Sequence, residues 1–177
     1  MNPNAPNPGF QLPADGWIQL VPLGEFAHPS GVIQVLDREA VQAMANTFAT
    51  QRREPGFSGL LFDYDHFSAD PDKPSAAAAW IDDVAVRADG LYGRPRWTSD
   101  GRAAVEGGEY RFVSPVFPRE NGERLGNHRL RPRQLLSVAL TNAPNLRGMA
   151  PLSNRRGPAA PTARARPGRR RWPCTPS

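Results

Sequence analysis

The sequence predicts an α+β fold that is rich in β-strands, with a mostly antiparallel, barrel-like sheet flanked by a few helices. Two observations lead to this class. Short apolar runs of strand length recur along the chain, and Gly, Pro, Asn or Asp residues border each of them. By contrast, only one long segment carries apolar residues at helical spacing. We therefore expect the strands near 60–65, 91–97, 110–117 and 135–141 to form one sheet and the long helix to pack on it.

Seven segments are predicted to be strands, because each combines apolar content with turn-forming residues at its borders. The turn signal Ala88-Asp89-Gly90 separates two of them, so we expect this pair to form a hairpin. Two other segments, 24–31 and 119–128, are predicted to be loops because glycine, proline or asparagine interrupt them. The predicted strands are residues 16–22, 32–36, 59–65, 80–86, 91–97, 110–117 and 135–141.

The long helix is predicted over residues 37–53. It begins at Asp37, whose short acidic side chain is a good N-cap, and a proline–glycine pair ends it. A shorter helix is predicted at 98–106, capped by Thr98 or Ser99 and stopped by two glycines. The apolar face of the long helix, which we expect to contact the sheet, consists of Val41, Met44, Ala45 and Phe48.

Length and composition predict one domain at 16–153 between two disordered ends. The leader, 1–15, is rich in Asn and Pro, and the tail, 154–177, is rich in Arg and Pro. The net charge is +5, but the tail holds seven arginines and no acid, so residues 1–153 carry a charge of −2. A solvated, disordered terminus is the simpler interpretation of this tail, and nonspecific nucleic-acid contacts through phosphates are the alternative.

Several classes of protein are excluded at this stage. No apolar run approaches the ~20 residues that cross a bilayer, so we expect no membrane association. The first residues lack the basic and apolar regions of a secretory signal. The single cysteine, Cys174, forms neither an internal disulfide nor a cysteine-based zinc site. These features together favour the cytoplasm of the producing cell.

A histidine and a serine on two predicted strands are the candidate catalytic residues. His66 closes the segment 59–66, and an imidazole with an ordinary pKa near ~6.5 suits a general base. If the strand continues to His66, Asp63 and Asp65 face away from it, because side chains alternate between the faces of a strand. The alternatives are a strand-end histidine that bonds to a loop and a metal site at this acidic cluster.

Ser114 lies in the middle of the predicted strand 110–117, on the same face as Phe112 and Val116. A hydroxyl on an apolar face needs a partner when it is buried, and a serine becomes a nucleophile when a base takes its proton. Pro115 cannot donate to a ladder, which predicts an edge strand or a bulge here. Ser137 is a second strand serine, for which packing is the simpler interpretation.

The ordered set of motifs resembles the Mu-like prophage I protein family, the protease and scaffold of phage Mu-type capsids. The resemblance covers about 17–149 and includes Asp63-Tyr64-Asp65-His66. The family is distantly similar to tailed-phage prohead proteases and to herpesvirus assemblin. The other matching segments are residues 22–28, 79–81, 90–98, 108–117 and 135–145.

The resemblance implies a barrel flanked by helices and a serine endopeptidase of capsid maturation that needs no cofactor and no metal. His66 then corresponds to the general base and Ser114 to the nucleophile. The implied partners are the phage scaffold and major capsid proteins and a second copy of the chain. The implied location is the assembling prohead in the host bacterial cytoplasm. The third catalytic member stays open, with Asp63, Asp65, His128 and Ser137 as the candidates.

Two further expectations follow from the resemblance. Family members carry a helical scaffolding segment after the protease, whereas here an Arg/Pro-rich tail follows residue 153, so we expect a truncated gene with an out-of-frame tail. The competing functions are a non-catalytic capsid assembly module, an inactive prophage remnant, and a basic-tailed nucleic-acid binder. The acidic balance of residues 1–153 argues against the last of these.

Overall fold

The computed structural model describes residues 12–146, 149, 151 and 152, and over these residues the predicted β-rich α+β fold is confirmed. The predicted tail and most of the predicted leader lie outside the described residues. Two helices are present, α1 (Arg38–Gln51) and α2 (Ser99–Glu106), with a one-turn 3₁₀ helix at Phe67–Ala69. The strands are β1 (Ile18–Pro22), β2 (Gly24–Ala27), β3 (Ile33–Leu36), β4 (Leu60–Tyr64), β5 (Ala79–Arg87), β6 (Gly90–Trp97), β7 (Phe112–Val116), β8 (Glu123–Gly126), β9 (Arg129–Arg131) and β10 (Ser137–Thr141).

The larger sheet has six strands in the order β1-β6-β5-β4-β10-β7. Every pairing in it is antiparallel except β4 with β10, which is parallel. The two edge strands, β1 and β7, lie close to each other, so the sheet curls into a nearly closed barrel. The barrel-like sheet that the sequence predicts is therefore confirmed, including the hairpin of β5 and β6.

Helix α1 packs on the sheet through the predicted apolar face. Val41, Met44 and Phe48 on this helix are buried, and Ala45 packs against the same core. The Asp37 side chain accepts a hydrogen bond from the Ala40 N–H at 2.9 Å, as expected of an N-cap. The apolar spacing thus predicted both the helix and the face that it buries.

A second, smaller sheet has the order β2-β3-β9-β8. Here the sequence-based predictions are wrong, because segment 24–31 contains β2 and segment 119–128 contains β8, although both were expected to be loops. The sheet is partly solvated and is joined by charged side chains, so it needs no alternating apolar pattern. Its strands therefore look like polar loops in the sequence.

Arg131 on β9 connects this smaller sheet to the start of α1. Its guanidinium binds the carboxylates of Asp37, Glu39 and Glu123 at 2.8–3.1 Å. Because Asp37 is also the N-cap of α1, a single side chain holds the helix start, β9 and β8 together. This network raises the pKa of Arg131, with the hydrogen bond to Asp37 as the main cause.

The segment after β4 also differs from expectation. The strand ends at Tyr64, one residue earlier than predicted, and both Asp65 and His66 have positive φ, at 46° and 60°. Two successive left-handed residues turn the chain sharply away from the sheet. Across the described residues, no helix is long and apolar enough to span a membrane.

We expect Gly101→Ala to destabilise the fold, although alanine is the better helix former. Gly101 is buried in the first turn of α2, and a Cβ there would lie 2.0 Å from the Ala78 carbonyl oxygen. Overpacking against a backbone atom costs about 1–3 kcal/mol of unfolding free energy. Urea denaturation measures this loss. Arg102→Ala, next to it but exposed, is the control and should shift the free energy by no more than about 0.5 kcal/mol.

Candidate active site

Three neighbouring strands of the larger sheet bring Ser114 and Asp63 into one row. Ser114 on β7 pairs with Ala139 on β10, and Ala139 pairs with Asp63 on β4. Residues paired across strands point to the same face of a sheet. With strands about 4.8 Å apart, the Cα atoms of Ser114 and Asp63 are separated by roughly 10 Å, with only the small Ala139 side chain between them.

This face of the sheet holds all the buried polar side chains found among the described residues. Asp63 and Ser114 are fully buried, and Thr141, two positions along β10 from Ala139, is 5% exposed. The opposite face carries apolar residues such as Phe62 and Val138. Buried polar groups cost free energy unless they are satisfied, so their collection on one face indicates a site rather than a general feature of the core.

The Ser114 hydroxyl lies at the edge of the sheet, because β7 is the last strand in the order. This position explains Pro115, since an edge strand tolerates a residue that has no N–H to donate. The Ser114 Oγ accepts a weak hydrogen bond from the Asn145 backbone N–H at 3.4 Å. The segment after β10 thus covers the serine and directs one backbone donor towards it.

His66 lies in the turn that follows β4, so the strand alternation considered in the sequence does not extend to it. Its ring is partly buried, and neither ring nitrogen has a hydrogen-bond partner within the described residues, Ser114 included. Burial lowers the pKa of His66 below its ordinary value of 6.5, while the nearby carboxylates of Asp63 and Asp65 oppose this shift. The imidazole is therefore neutral at pH 7.

Asp63 has one carboxylate oxygen engaged and one free. Its Oδ2 accepts hydrogen bonds from the Ser68 backbone N–H, at 3.0 Å, and from the Ser68 hydroxyl. Its Oδ1 is buried and has no partner among the described residues. An unpaired oxygen of a buried carboxylate is costly, so this oxygen has the capacity to accept one more hydrogen bond.

The other candidates for a third member lie elsewhere. The Asp65 carboxylate is exposed and accepts a hydrogen bond from the Tyr110 hydroxyl at 3.2 Å. Ser137 lies on the Ser114 face of β10 but pairs with Val116, two residues along the ladder from the Ala139–Ser114 pair. His128 is exposed in the two-residue turn between β8 and β9, on the smaller sheet.

A pocket of about 720 Å³ lies between the two sheets, beside the buried polar face. One wall comes from the end of β7 and the turn after β4, and includes Pro115 and His66. The other wall comes from β3, β8, β9 and the turn that carries His128. The structure therefore brings His66 and His128 to one pocket. Ser114 does not line it, but Asn145, whose N–H bonds to the Ser114 hydroxyl, does.

Three histidines line this pocket, His28, His66 and His128. Within the described part of the chain, however, no group of three or more His, Cys, Asp or Glu residues is arranged to hold a metal ion.

Two contributors to the site were not identified from the sequence. Ser68 lies in a polar segment five residues after Asp63, and nothing in its sequence neighbours indicates that its hydroxyl binds Asp63. Asn145 acts through its backbone, so its side-chain type carried no signal. Only the tertiary structure shows these contacts, because each joins segments that are separated by a turn or by a crossing of the sheet.

The fold and site together define a barrel-like domain with a buried Ser/Asp face beside a histidine-lined pocket. A family model described as the Mu-like prophage I protein, N-terminal domain, matches residues 18–153. The chain belongs to the Mu-like prophage I protein family, and the resemblance seen in its motifs is confirmed. No solved structure matches the chain at a significant level.

Two curated proteins are similar to most of this chain. It is 31% identical over 154 residues to the Mu-like prophage FluMu I protein of Haemophilus influenzae, a match that covers 78% of this chain and 41% of that protein. It is 28% identical over 155 residues to Protease I of Escherichia phage Mu, with coverage of 78% and 40%. The chain thus spans about two fifths of the length of both relatives.

We expect the burial of His66 to make the fold less stable in mild acid. Because the folded-state pKa lies below 6.5, the unfolded chain binds more protons as the pH falls below that value, and stability falls with it. His66→Gln removes this contribution, so its thermal midpoint should decline less between pH 7 and pH 5 than that of the wild type. His128→Gln controls for the loss of a histidine as such. Equal pH slopes for the wild type and His66→Gln would contradict the burial argument.

Proposed function

We propose that this domain is a serine endopeptidase of phage capsid maturation, with Ser114 as nucleophile and His66 as general base. The observation that carries the proposal is the buried row of Ser114, Ala139 and Asp63 beside a neutral imidazole and a pocket. The name of the phage Mu relative, Protease I, supports the same class of activity.

The proposed mechanism places the His66 ring over Ala139, between Ser114 and Asp63, once the turn after β4 adjusts. A His66 ring placed there would reach Ser114 through one nitrogen and the free Oδ1 of Asp63 through the other. The gap of roughly 10 Å between the two outer Cα atoms suits an imidazole inserted between a hydroxyl and a carboxylate. Catalytic hydrogen bonds often tighten only when substrate is bound, and the turn that holds His66 is the element that would adjust.

In this proposal the chemistry proceeds in two balanced steps. His66 takes the Ser114 proton as Oγ attacks the peptide carbonyl carbon, and it then gives that proton to the departing amine as the C–N bond breaks. Water, deprotonated by His66, next attacks the acyl carbon; as the Oγ–acyl bond breaks, His66 returns the proton to Ser114 Oγ and the new carboxyl terminus leaves. The Asn145 N–H, which already points at the Ser114 hydroxyl, is the candidate donor to the oxyanion.

Asp63 is the third member that we propose, because it alone of the candidates combines full burial, a place in the Ser114 row and a free oxygen. Asp65 is engaged by Tyr110, and His128 and Ser137 lie outside the row. The proposed substrates are the scaffold and major capsid proteins, cleaved inside proheads in the host cytoplasm. A homodimer is part of the same proposal, again by likeness to the family.

A second candidate function is a capsid assembly module without catalysis. Two observations favour it: the Ser114 hydroxyl is fully buried, and neither nitrogen of His66 bonds to it in this structure. Under this alternative, the polar face only joins the segments that cover the sheet. A reagent that reacts with activated serines separates the two functions.

We expect a fluorophosphonate probe to label Ser114 in the wild-type chain, because an adjacent base makes that hydroxyl nucleophilic. Ser114→Ala should abolish the label, and His66→Ala should slow labelling about 100-fold or more, since the two residues act as a unit. Ser137→Ala, a strand serine on the same face, is the matched control and should label at nearly the wild-type rate. Mass spectrometry of the labelled peptide gives the position, and a folded wild type that takes up no label would favour the assembly module.

Asp63→Asn should lower the labelling rate about 100-fold or more, because an amide cannot hold the imidazole in the required tautomer or stabilise its charge. Asp65→Asn, whose carboxylate binds Tyr110 instead, should change the rate only a few-fold. As the pH is lowered, the labelling rate of the wild type should fall with a midpoint below pH 6.5, because the proposed base is a histidine with a lowered pKa. A larger loss in Asp65→Asn than in Asp63→Asn would exchange the roles of these two residues.

A further inference from the structure

The pocket beside the proposed active site is positively charged, with Arg124 and Arg129 on the wall formed by the smaller sheet. Arg119, Arg124 and Arg129 line it together with the three histidines, and no Asp or Glu is among its described lining residues. Arg119 and Arg124 are exposed, and neither side chain contacts a carboxylate within the described part of the chain. Such guanidinium groups are ready to bind an anion that comes from outside the chain.

The smaller sheet separates its charges between two faces. Glu123 on β8 pairs with Arg131 on β9, and this face is neutralised by the ion pairs towards the start of α1. The next pair, Arg124 with Leu130, points to the opposite face and lines the pocket. The carboxylates of Asp37, Glu39 and Glu123 therefore bind Arg131 on one face, and no described carboxylate pairs with Arg124 on the other.

Arg129 adds a second unpaired donor to the same wall. One of its terminal nitrogens binds the Glu25 carboxylate, but its Nε is buried and has no hydrogen-bond partner among the described residues. The opposite wall is mostly apolar, with Pro115, Val116 and Phe117. A volume of about 720 Å³ is in the range of a ligand site and is large enough for several side chains of an extended peptide.

We propose that this pocket binds the substrate peptide and selects an acidic residue, Asp or Glu, next to an apolar residue near the scissile bond. Arg124 and Arg119 are the residues that determine this specificity, through charge-assisted hydrogen bonds to the acidic side chain. The inference deepens the proposed protease function and rests on it for the identity of the substrate. The selection itself is a binding property, so it can be measured without catalysis.

The test uses two pools of fluorescein-labelled nonapeptides, randomised at every position except a central Glu in one pool and a central Gln in the other. Their affinities for the full chain carrying Ser114→Ala are measured by fluorescence anisotropy at low salt. We expect the Glu pool to bind about fivefold tighter, and the difference to shrink at ~0.5 M NaCl, where charges are screened. Arg124→Gln and Arg119→Gln should each reduce the preference to twofold or less.

Arg133→Gln is the matched control, because this exposed arginine of the same region lies by Glu123 instead of lining the pocket. It should keep the wild-type preference. All variants share the same seven tail arginines, so any attraction of acidic peptides to the tail is the same in each. The result is therefore the difference in Glu/Gln preference between variants. Equal binding of both pools, or a preference that survives in Arg124→Gln and Arg119→Gln, would overturn the inference. The affinity for a single-stranded DNA 12-mer is measured in the same way. If Arg124→Gln weakens DNA binding more than it weakens binding of the Glu pool, the inference is also overturned.

Cleavage of the same pools by the chain with Ser114 intact, mapped by mass spectrometry, separates this inference from the proposed function. Cut sites enriched in neighbouring acidic residues, with the enrichment lost in Arg124→Gln, would support both. Cut sites with no acidic preference would overturn the inference and leave the protease. Selective binding of the Glu pool without any cleavage would overturn the protease and leave an acidic-peptide site.

Discussion

The pairing of β10 with two strands at once is the constraint on which the candidate site depends. β10 runs parallel to β4 on one side and antiparallel to β7 on the other, and only this double register places Asp63 and Ser114 in one row. A slip of one residue in either pairing would place Asp63 or Ser114 on the apolar face of the sheet. The apolar face of Phe62 and Val138, packed in the core, opposes such a slip and so holds the polar row in place.

The polar row is expensive to bury, and its chemistry explains how the cost is limited. Asp63 is satisfied on one oxygen by Ser68, and Ser114 receives one weak donor from Asn145. His66 avoids the larger cost of a buried charge by staying neutral, which its lowered pKa reflects. The unpaired Oδ1 of Asp63 and both nitrogens of His66 are left with complementary hydrogen-bonding capacity. A neutral imidazole and an unpaired carboxylate oxygen are the resting state that the proposed mechanism requires.

The smaller sheet shows how charge can build structure and recognition at the same time. On one face, Arg131 joins β9 to β8 and to the N-cap of α1 through three carboxylates. On the other face, Arg124 has no carboxylate among the described residues and looks into the pocket. Because side chains alternate along a strand, the same short strands supply both the ion pairs that hold the sheet and the cations proposed to select substrate.

The sequence by itself determined the elements whose stability is local or strongly patterned. The buried face of α1, the β5–β6 hairpin and the barrel strands follow from apolar periodicity and turn residues, and the ordered motifs identified the family. It could not reveal β2 and β8, because solvated strands held by ion pairs carry no apolar pattern. Nor could it reveal the left-handed turn that takes His66 off the end of β4, or the register that aligns Ser114 with Asp63. Those features depend on contacts between residues that are far apart in the chain, and such contacts form only when the sheets assemble.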